Sequence, residues 1–216
     1  MQPAYIPALR YRALTPWYDF IIQATIRERA FKSRLIQQAS LRPDDRILDL
    51  GCGTGTLTLL LKSQHPESRV AAIDADPQIL GIARDKAARA GLDIDFHQVM
   101  SYALPFPDAS FDHVFSSLVF HHLTREQKLG TLAEALRILR PGGRLHIADF
   151  GRPQNAAMRA AFFFVQIFDG FPTTQDNMDG LLPGLIHDAG FPAPTETATF
   201  ATMFGTIRLL QTEKLK

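Results

Sequence analysis

The sequence has 216 residues, of which 46% are hydrophobic and 21% are charged, and its formal net charge is +1. This length and composition predict one folded domain and exclude a chain dominated by disorder. The near-zero charge, with no run of five or six Lys or Arg residues, disfavours a nucleic acid partner but leaves a local basic patch open.

The region before the first predicted strand, residues 1–40, is interpreted as an N-terminal helical cap. Residues 16–38 have the spacing of one or two helices that pack outside a sheet. No apolar stretch of about 18 residues is present, and no signal peptide pattern is visible, so neither a transmembrane span nor secretion by that route is expected. We therefore expect a cytoplasmic protein, with peripheral membrane contact left open.

The central region, residues 41–150, alternates short apolar runs with longer amphipathic ones, which is typical of βα units that build a parallel sheet. Strands are predicted at residues 46–50, 69–74, 94–99, 113–117 and 144–149. Helices are predicted at residues 56–64, 77–90 and 125–139. Asp76 before Pro77 is an N-capping signal, and Thr124 with Gln127 forms a capping box. The predicted fold class is therefore α/β.

The C-terminal region, residues 151–216, is interpreted as a helical insertion followed by terminal strands, within the same single domain. Helical segments are predicted near residues 162–168 and 178–189, and a hairpin over residues 195–210. The phenylalanines here either pack in the core or wall an apolar pocket. In the second case Gln166, Asp169 and Asn177 are candidate polar groups of that pocket.

A glycine-rich loop follows the first strand, in the segment Ile-Leu-Asp-Leu-Gly-Cys-Gly-Thr-Gly over residues 47–55. Glycines allow positive φ and close approach of a ligand, and the following helix presents free N–H groups. The spacing differs from the G-x-G-x-x-G of dinucleotide sites, so an NAD-linked oxidoreductase is the weaker alternative. Asp49 would repel a pyrophosphate but suits an ammonium group.

Other acidic and thiol side chains lie around this loop. Asp74 ends the second predicted strand, where a carboxylate can accept hydrogen bonds from a ribose diol. The competing interpretation of Asp74, a helix cap, fits Asp76 better. Cys52 is the only cysteine, which excludes an intramolecular disulfide and favours a reducing compartment, and we interpret it as a packing residue.

Four segments together resemble the successive motifs of class I S-adenosylmethionine (SAM)-dependent methyltransferases. They are residues 47–55, 73–77, 104–112 and 139–145. Within that family the chain is similar to the small-molecule group that includes the ubiquinone/menaquinone-biosynthesis C-methyltransferases. The resemblance implies a Rossmann-like three-layer sandwich with a mostly parallel seven-stranded sheet and an antiparallel edge strand. It also implies SAM-dependent methyl transfer to a small acceptor, and the aromatic content favours a lipophilic or aromatic one.

The resemblance also implies a set of cofactor-binding residues. They are Asp49, Gly51, Cys52, Gly53, Asp74, Ala75, Met100, Ser101 and Ser117. Ala75 is expected to pack on adenine. Met100 stands where many relatives have an Asp that binds the adenine amino group, so adenine recognition is expected to rest on Ser101 or a neighbour. This departure keeps a cofactor-binding regulator without turnover as a non-enzyme alternative.

Two adjacent histidines, His121 and His122, follow the fourth predicted strand and are the candidate catalytic residues. Histidine can remove a proton or position an acceptor near neutral pH. The alternative is that both only pack near the cofactor. No metal site is expected, because adjacent residues of an extended segment point to opposite faces.

Overall fold

The computed structural model describes residues 28–216. The helices are α1 (Glu28–Gln37), α2 (Thr56–Gln64), α3 (Pro77–Arg89), α4 (Arg125–Ile138), α5 (Ala156–Asp169), α6 (Phe171–Met178) and α7 (Leu182–Asp188). The strands are β1 (Arg46–Leu50), β2 (Arg69–Asp74), β3 (Asp95–Gln98), β4 (Phe111–Ser117), β5 (Leu139–Gly151), β6 (Thr195–Thr202) and β7 (Gly205–Glu213). A 3₁₀ turn, Phe120–His122, lies between β4 and α4.

The strands form one seven-stranded sheet in the order β3-β2-β1-β4-β5-β7-β6. Strands β1 to β5 pair in parallel, whereas β7 is antiparallel to both β5 and β6. The predicted mostly parallel, seven-stranded sheet is confirmed, and its antiparallel strand lies one position inside the edge. Because the strand order reverses between β1 and β4, their carboxyl ends border the crevice in which such sheets bind ligands.

Helices cover both faces of the sheet, as the predicted three-layer sandwich requires. Buried side chains of α4 and α7 pack on one face, and those of α1, α2 and α5 pack on the other. The short apolar strands are buried on both sides; Ile47, Leu48 and Leu50 of β1 are each 0% exposed. This double coverage explains why β1 and β2 have the bounds predicted from their apolar runs.

The predicted helix starts in the central region are present with their capping groups. Asp76 accepts hydrogen bonds from the backbone N–H groups of Gln78 and Ile79, and Thr124 forms the capping box with Gln127. These side chains satisfy N–H groups that the first turn of a helix leaves without a partner. Local sequence therefore sets where α3 and α4 begin.

The structure differs from the sequence prediction at several element bounds; for example, β4 begins at Phe111 and α5 at Ala156, both earlier than predicted. Strand β5 begins at Leu139, before the Pro-Gly-Gly segment, because Leu139 pairs with Phe111 of β4 and the backbone of Gly142 and Gly143 pairs with that of Lys214. The helix predicted over residues 178–189 is split between α6 and α7, where Gly180 has a φ of +73°.

Residues 16–27 of the predicted N-terminal helices lie outside the described residues. Within residues 28–216 no helix combines the length and apolar character needed to cross a bilayer.

Two buried histidines of neighbouring strands form a polar network inside the fold. Nε2 of His146 lies 3.1 Å from Nδ1 of His113, and Nε2 of His113 lies 3.3 Å from Oδ2 of Asp45. Nδ1 of His146 lies 3.4 Å from Nε2 of Gln38 on the α1 side. Burial lowers the pKa of His113, and burial together with the neighbouring His113 lowers the pKa of His146 well below its ordinary value.

We expect the free energy of unfolding to decrease as the pH falls below about 6.5, the ordinary pKa of a histidine. Both imidazoles take up protons at a lower pH in the folded protein than in the unfolded chain, so acid favours unfolding. Each such histidine contributes a slope of up to about 1.4 kcal/mol per pH unit between its unfolded and folded pKa. Urea unfolding at pH 8 to 5 measures the slope.

The matched variants for this stability test are His146→Gln and His187→Gln. His146→Gln keeps a polar side chain that does not titrate, so the dependence of stability on pH should become shallower. His187 is exposed, and its replacement should leave the slope unchanged. Asp49, whose pKa is raised to about 6 by burial, has the opposite effect on the slope but is present in every variant. An unchanged slope in His146→Gln would contradict the prediction.

Candidate active site

The glycine loop joins the carboxyl end of β1 to α2. Gly51, Gly53 and Gly55 have φ values of +74°, +55° and +83°, a region that favours glycine. A Cβ on Gly51 would overlap the side chain of Val119, whereas a Cβ on Gly53 would meet no atom within 4 Å. Packing therefore requires glycine at position 51, and Gly53 borders open space in which a ligand can approach the backbone.

Asp49 lies in β1 just before this loop and is 1% exposed. Its Oδ2 accepts a 2.5 Å hydrogen bond from Oγ1 of Thr58, while its Oδ1 has no partner among the described residues. Burial raises the pKa of Asp49 to about 6, against the opposing effects of the Thr58 bond and of Lys32. A buried carboxylate oxygen without a donor fits the ammonium group expected of the cofactor.

Asp74, at the carboxyl end of β2, is half-buried and holds the glycine loop. Its Oδ2 accepts a 2.9 Å hydrogen bond from the N–H of Gly53, and its Oδ1 accepts one of 3.0 Å from the N–H of Asp76. Burial raises the pKa of Asp74, although these bonds act in the opposite direction. Each carboxylate oxygen keeps a further lone pair, so Asp74 can still bind a diol as predicted.

We expect Asp74→Ala to weaken SAM binding by about ten- to a hundredfold, because a lost hydrogen bond to a charged group costs ~1.5–3 kcal/mol. Titration calorimetry measures the affinity, and the 2′-deoxy analogue of SAM should lose less affinity in the variant than in the wild type. Asp76→Ala is the matched control: it removes the cap of α3 and lowers the melting temperature, but should bind SAM normally. Wild-type affinity in Asp74→Ala would contradict the assignment.

The other predicted cofactor residues lie at the same end of the sheet. Cys52 is buried against Ala72 and Leu80, and burial raises the pKa of its thiol, which agrees with a packing role. Ala75 directly follows Asp74 at the end of β2, and both Ala75 and Met100 are partly exposed. Oγ of Ser101 lies 2.7 Å from Oγ1 of Thr131, so this hydroxyl is directed towards α4. Adenine contact by Ser101 through its backbone remains a prediction.

The chain changes direction sharply after β4. Leu118 has a φ of +60°, and its N–H donates a 2.8 Å hydrogen bond to the carbonyl of Ala148. A leucine in this left-handed region is strained, and such strain is concentrated at functional sites. The bend places Val119 against Gly51 and starts the 3₁₀ turn that carries the two candidate histidines.

Asp149 lies at the carboxyl end of β5 and is a functional candidate that the sequence analysis missed. It is 2% exposed, and its Oδ2 accepts hydrogen bonds from the N–H groups of Val119 (3.0 Å) and Phe120 (2.7 Å). Its Oδ1 lies 2.8 Å from Nδ1 of His121. An acid at the end of a buried strand is the signal that identified Asp74, and it would have identified Asp149 as well.

The Asp149 contact determines which nitrogen of His121 carries the proton. A carboxylate only accepts hydrogen bonds, so Nδ1 donates and the lone pair of the neutral ring lies on Nε2. This arrangement suits a general base that is oriented by an acid. His121 is 3% exposed, so bulk water is largely excluded from the ring.

His122 is in a different environment from His121. Burial lowers the pKa of His122 well below its ordinary value, and His121 adds to this effect. The two rings lie 4.0 Å apart in the 3₁₀ turn, so the expectation that they point to opposite faces of an extended segment is wrong. Across residues 28–216 no group of three His, Cys, Asp or Glu side chains is placed to hold a metal ion.

Helices α5 and α6 close the site on the side of the histidines. Asn177 of α6 donates from Nδ2 to the carbonyl of Phe150 (2.9 Å) and to Oδ1 of Asp149 (3.2 Å).

Ser117, at the end of β4, has a buried hydroxyl without a partner in the described part of the chain. The side chain of Gln166, a candidate polar group of the pocket, bonds Thr174 and Gln175 and so links α5 to α6. The Asp169 side chain lies outside the described part of the structure.

A separate cavity of about 630 Å³ opens at the opposite, amino end of β1 and β4. Its lining includes Arg46, Asp112 and Arg140, and the last two form an ion pair of 2.5 Å. Parallel α/β sheets bind ligands at the carboxyl ends of their strands, where the glycine loop lies. We therefore place the site at the loop rather than in this cavity.

Comparison with known proteins supports a methyltransferase assignment. A family described as a methyltransferase domain matches residues 47–143. The demethylmenaquinone methyltransferase of Thermus thermophilus is 36% identical over 149 residues, which are 68% of this chain and 67% of that protein. The UbiE ubiquinone/menaquinone biosynthesis C-methyltransferase of Teredinibacter turnerae is 33% identical over 137 residues, 62% of this chain and 54% of that protein. The chain thus spans about half to two thirds of these relatives.

Solved structures with low sequence identity share the fold. A SAM-dependent methyltransferase from Methanosarcina mazei superposes with a TM-score of 0.66 at 23% identity, covering 84% of this chain and 97% of its own. The [4+2]-cyclase SpnF superposes with a TM-score of 0.70 at 18% identity, covering 86% of this chain and 80% of its own. Because SpnF is described as a [4+2]-cyclase, the fold alone does not determine the reaction.

Proposed function

We propose, from the premise that this chain belongs to the SAM-dependent methyltransferase family, that it methylates a ring carbon of a hydroxylated aromatic acceptor of the quinol type. The match to the Thermus thermophilus relative shows the family, and the names of the matched relatives point to quinone precursors. The observation that carries the proposed acceptor chemistry is the Asp149–His121 pair, whose histidine lies two residues after Val119, the residue packed on Gly51.

The residues at the glycine loop fit SAM. Open space beside Gly53 admits the cofactor to the backbone, the unpartnered Oδ1 of Asp49 suits its ammonium group, and Asp74 suits its ribose diol. When bound, SAM supplies an electrophilic methyl group on a sulfonium. The protein then has to orient the acceptor, exclude water and manage one proton.

His121 is proposed to take the proton from an acceptor hydroxyl at its Nε2. Loss of this proton gives a phenolate, which raises electron density on the neighbouring ring carbon. SAM held by Asp49, Gly53 and Asp74 would supply the methyl group to that carbon and would be left as S-adenosylhomocysteine. The proton of that carbon would pass to water, and protonated His121 would return its proton to the phenolate oxygen of the product. A quinone has no hydroxyl proton and its ring is electron-poor, so the proposed acceptor is the reduced hydroquinone.

The side chains around His121 support an apolar acceptor. Phe150 packs edge-on against His121, with ring centroids 5.0 Å apart, and Phe162 packs against Phe150 at 5.1 Å. An apolar wall excludes water and strengthens the electrostatic interactions within the site. We therefore assign the acceptor pocket to the 3₁₀ turn together with residues 151–216, which form one domain with the central sheet.

Methyl transfer from isotope-labelled SAM to reduced and oxidised short-chain demethylmenaquinone analogues tests the proposal. Mass spectrometry should find one labelled methyl on a ring carbon, formed only from the reduced analogue. A labelled methyl ether, or methylation of the oxidised analogue, would contradict the proposed chemistry. Normal SAM binding without a product from either analogue would instead favour a cofactor-binding protein without turnover.

A further inference from the structure

Asn177 of α6 is 0% exposed and has one side-chain atom without a partner. Its Nδ2 donates to the carbonyl of Phe150 and to Oδ1 of Asp149. Both partners are acceptors, so the opposite amide orientation would bring three oxygens together and is excluded. The remaining atom is therefore Oδ1, an acceptor that receives no hydrogen bond within residues 28–216.

The Asn177 side chain lies on the acceptor side of the site. Oδ1 of Asp149 binds both Nδ2 of Asn177, at 3.2 Å, and Nδ1 of His121, at 2.8 Å. Helix α6 also packs against the 3₁₀ turn that carries His121. Since Val119 precedes this turn and packs on Gly51, a continuous set of contacts joins the cofactor loop to Asn177.

Helix α6 holds Asn177 in this place. The preceding residue, Asp176, accepts hydrogen bonds from Arg125 and from the fully buried Lys128 of α4. Nζ of Lys128 also donates a 2.7 Å bond to the carbonyl of Thr173. The amide is thus fixed before any ligand binds, which lowers the entropic cost of recognition.

A buried acceptor without a donor is unfavourable, so in a native structure it requires an explanation such as a functional role or an additional partner. We propose that Oδ1 of Asn177 accepts a hydrogen bond from a hydroxyl of the methyl acceptor and so determines acceptor specificity. Oδ1 of Asn177 and Nε2 of His121 then both present lone pairs, so the site selects rings that carry hydroxyl donors and disfavours their methyl ethers. This inference rests on the proposed hydroxylated acceptor.

The test compares a reduced short-chain demethylmenaquinone analogue with each of its two monomethyl ethers, in the presence of S-adenosylhomocysteine. Calorimetry gives the dissociation constant of each for the wild type and for Asn177→Ala. We expect the wild type to bind the free hydroquinone about tenfold or more tightly than the ether blocked at the Asn177 contact. In Asn177→Ala this ratio should fall to about one, while the ratio for the other ether and the SAM affinity stay unchanged.

Gln175→Ala is the matched control on the same helix. Gln175 is exposed and bonds Gln166 and Asp179, so its replacement leaves the contacts that fix Asn177 in place and should keep the wild-type binding ratios. If Asn177→Ala does not fold, Asn177→Ser replaces it, because the shorter side chain cannot extend an acceptor to the same place. Unchanged ratios in a folded variant would overturn the inference alone. Failure of the wild type to bind any hydroxylated ring would overturn the proposed function as well.

Discussion

Replacing His121 by Gln should lower the rate of methyl transfer at saturating SAM by about a hundredfold or more, the usual contribution of general acid–base catalysis. Gln keeps hydrogen-bonding capacity but cannot accept a proton. The affinity for SAM should stay close to that of the wild type, because His121 contacts Asp149 rather than the glycine loop. Single-turnover kinetics with a reduced acceptor analogue measures the effect on the chemical step.

The pH profile separates a base from a packing residue. The wild-type rate should increase with pH over the range in which a histidine loses its proton, because only the neutral ring can act as a base. The profile of His121→Gln should be flat. His122→Gln is the matched control and should keep the wild-type profile, since burial already keeps His122 neutral. If His121→Gln retains the rate and the profile, His121 only packs, and alignment alone drives the reaction.

The part of the fold that local sequence predicts is the set of βα units. Strands β1 and β2 have the predicted bounds because each is an apolar run that both helical layers bury. The early start of β5 could not be predicted, since it depends on pairing of Leu139 with Phe111 of β4 and of Gly142 and Gly143 with Lys214 near the end of the chain. Turn-forming residues in that segment favour a loop until the distant strand is known.

The residues of the site also divide into those that a local motif predicts and those whose role depends on contacts between distant parts of the sequence. Asp49, Gly53 and Asp74 were predicted because the motif places them within one loop and one strand end. Asn177 was predicted only as a candidate polar group of the acceptor pocket, and Asp149 was missed although it ends a buried strand as Asp74 does. The contacts of Asp149 with Asn177 and with the turn after β4 join residues far apart in sequence, so they could not be predicted. The left-handed backbone at Leu118 has no signal in its residue type, so the 3₁₀ turn that brings His121 and His122 together was also not predicted.

Replacing Gly53 by Val should abolish SAM binding while thermal unfolding stays cooperative. The new side chain would project into space that is empty of protein atoms within 4 Å of its Cβ, which is the space we assign to the cofactor. The N–H of Gly53 would keep its bond to Asp74, so the loop stays anchored. Calorimetry with SAM and a thermal melt of the same sample measure both effects.

Backbone strain is the competing explanation for any loss of binding in Gly53→Val, and Gly91 provides a control for it. Gly91 has a φ of +65°, and its Cβ would likewise meet no atom within 4 Å. It follows the 13-residue helix α3, about 20 Å from the end of that helix next to Asp74. Gly91→Val therefore introduces similar strain away from the cofactor, and it should lower the melting temperature but leave SAM affinity unchanged. Equal loss of affinity in both variants would mean that strain, rather than occupied cofactor space, explains the effect at Gly53.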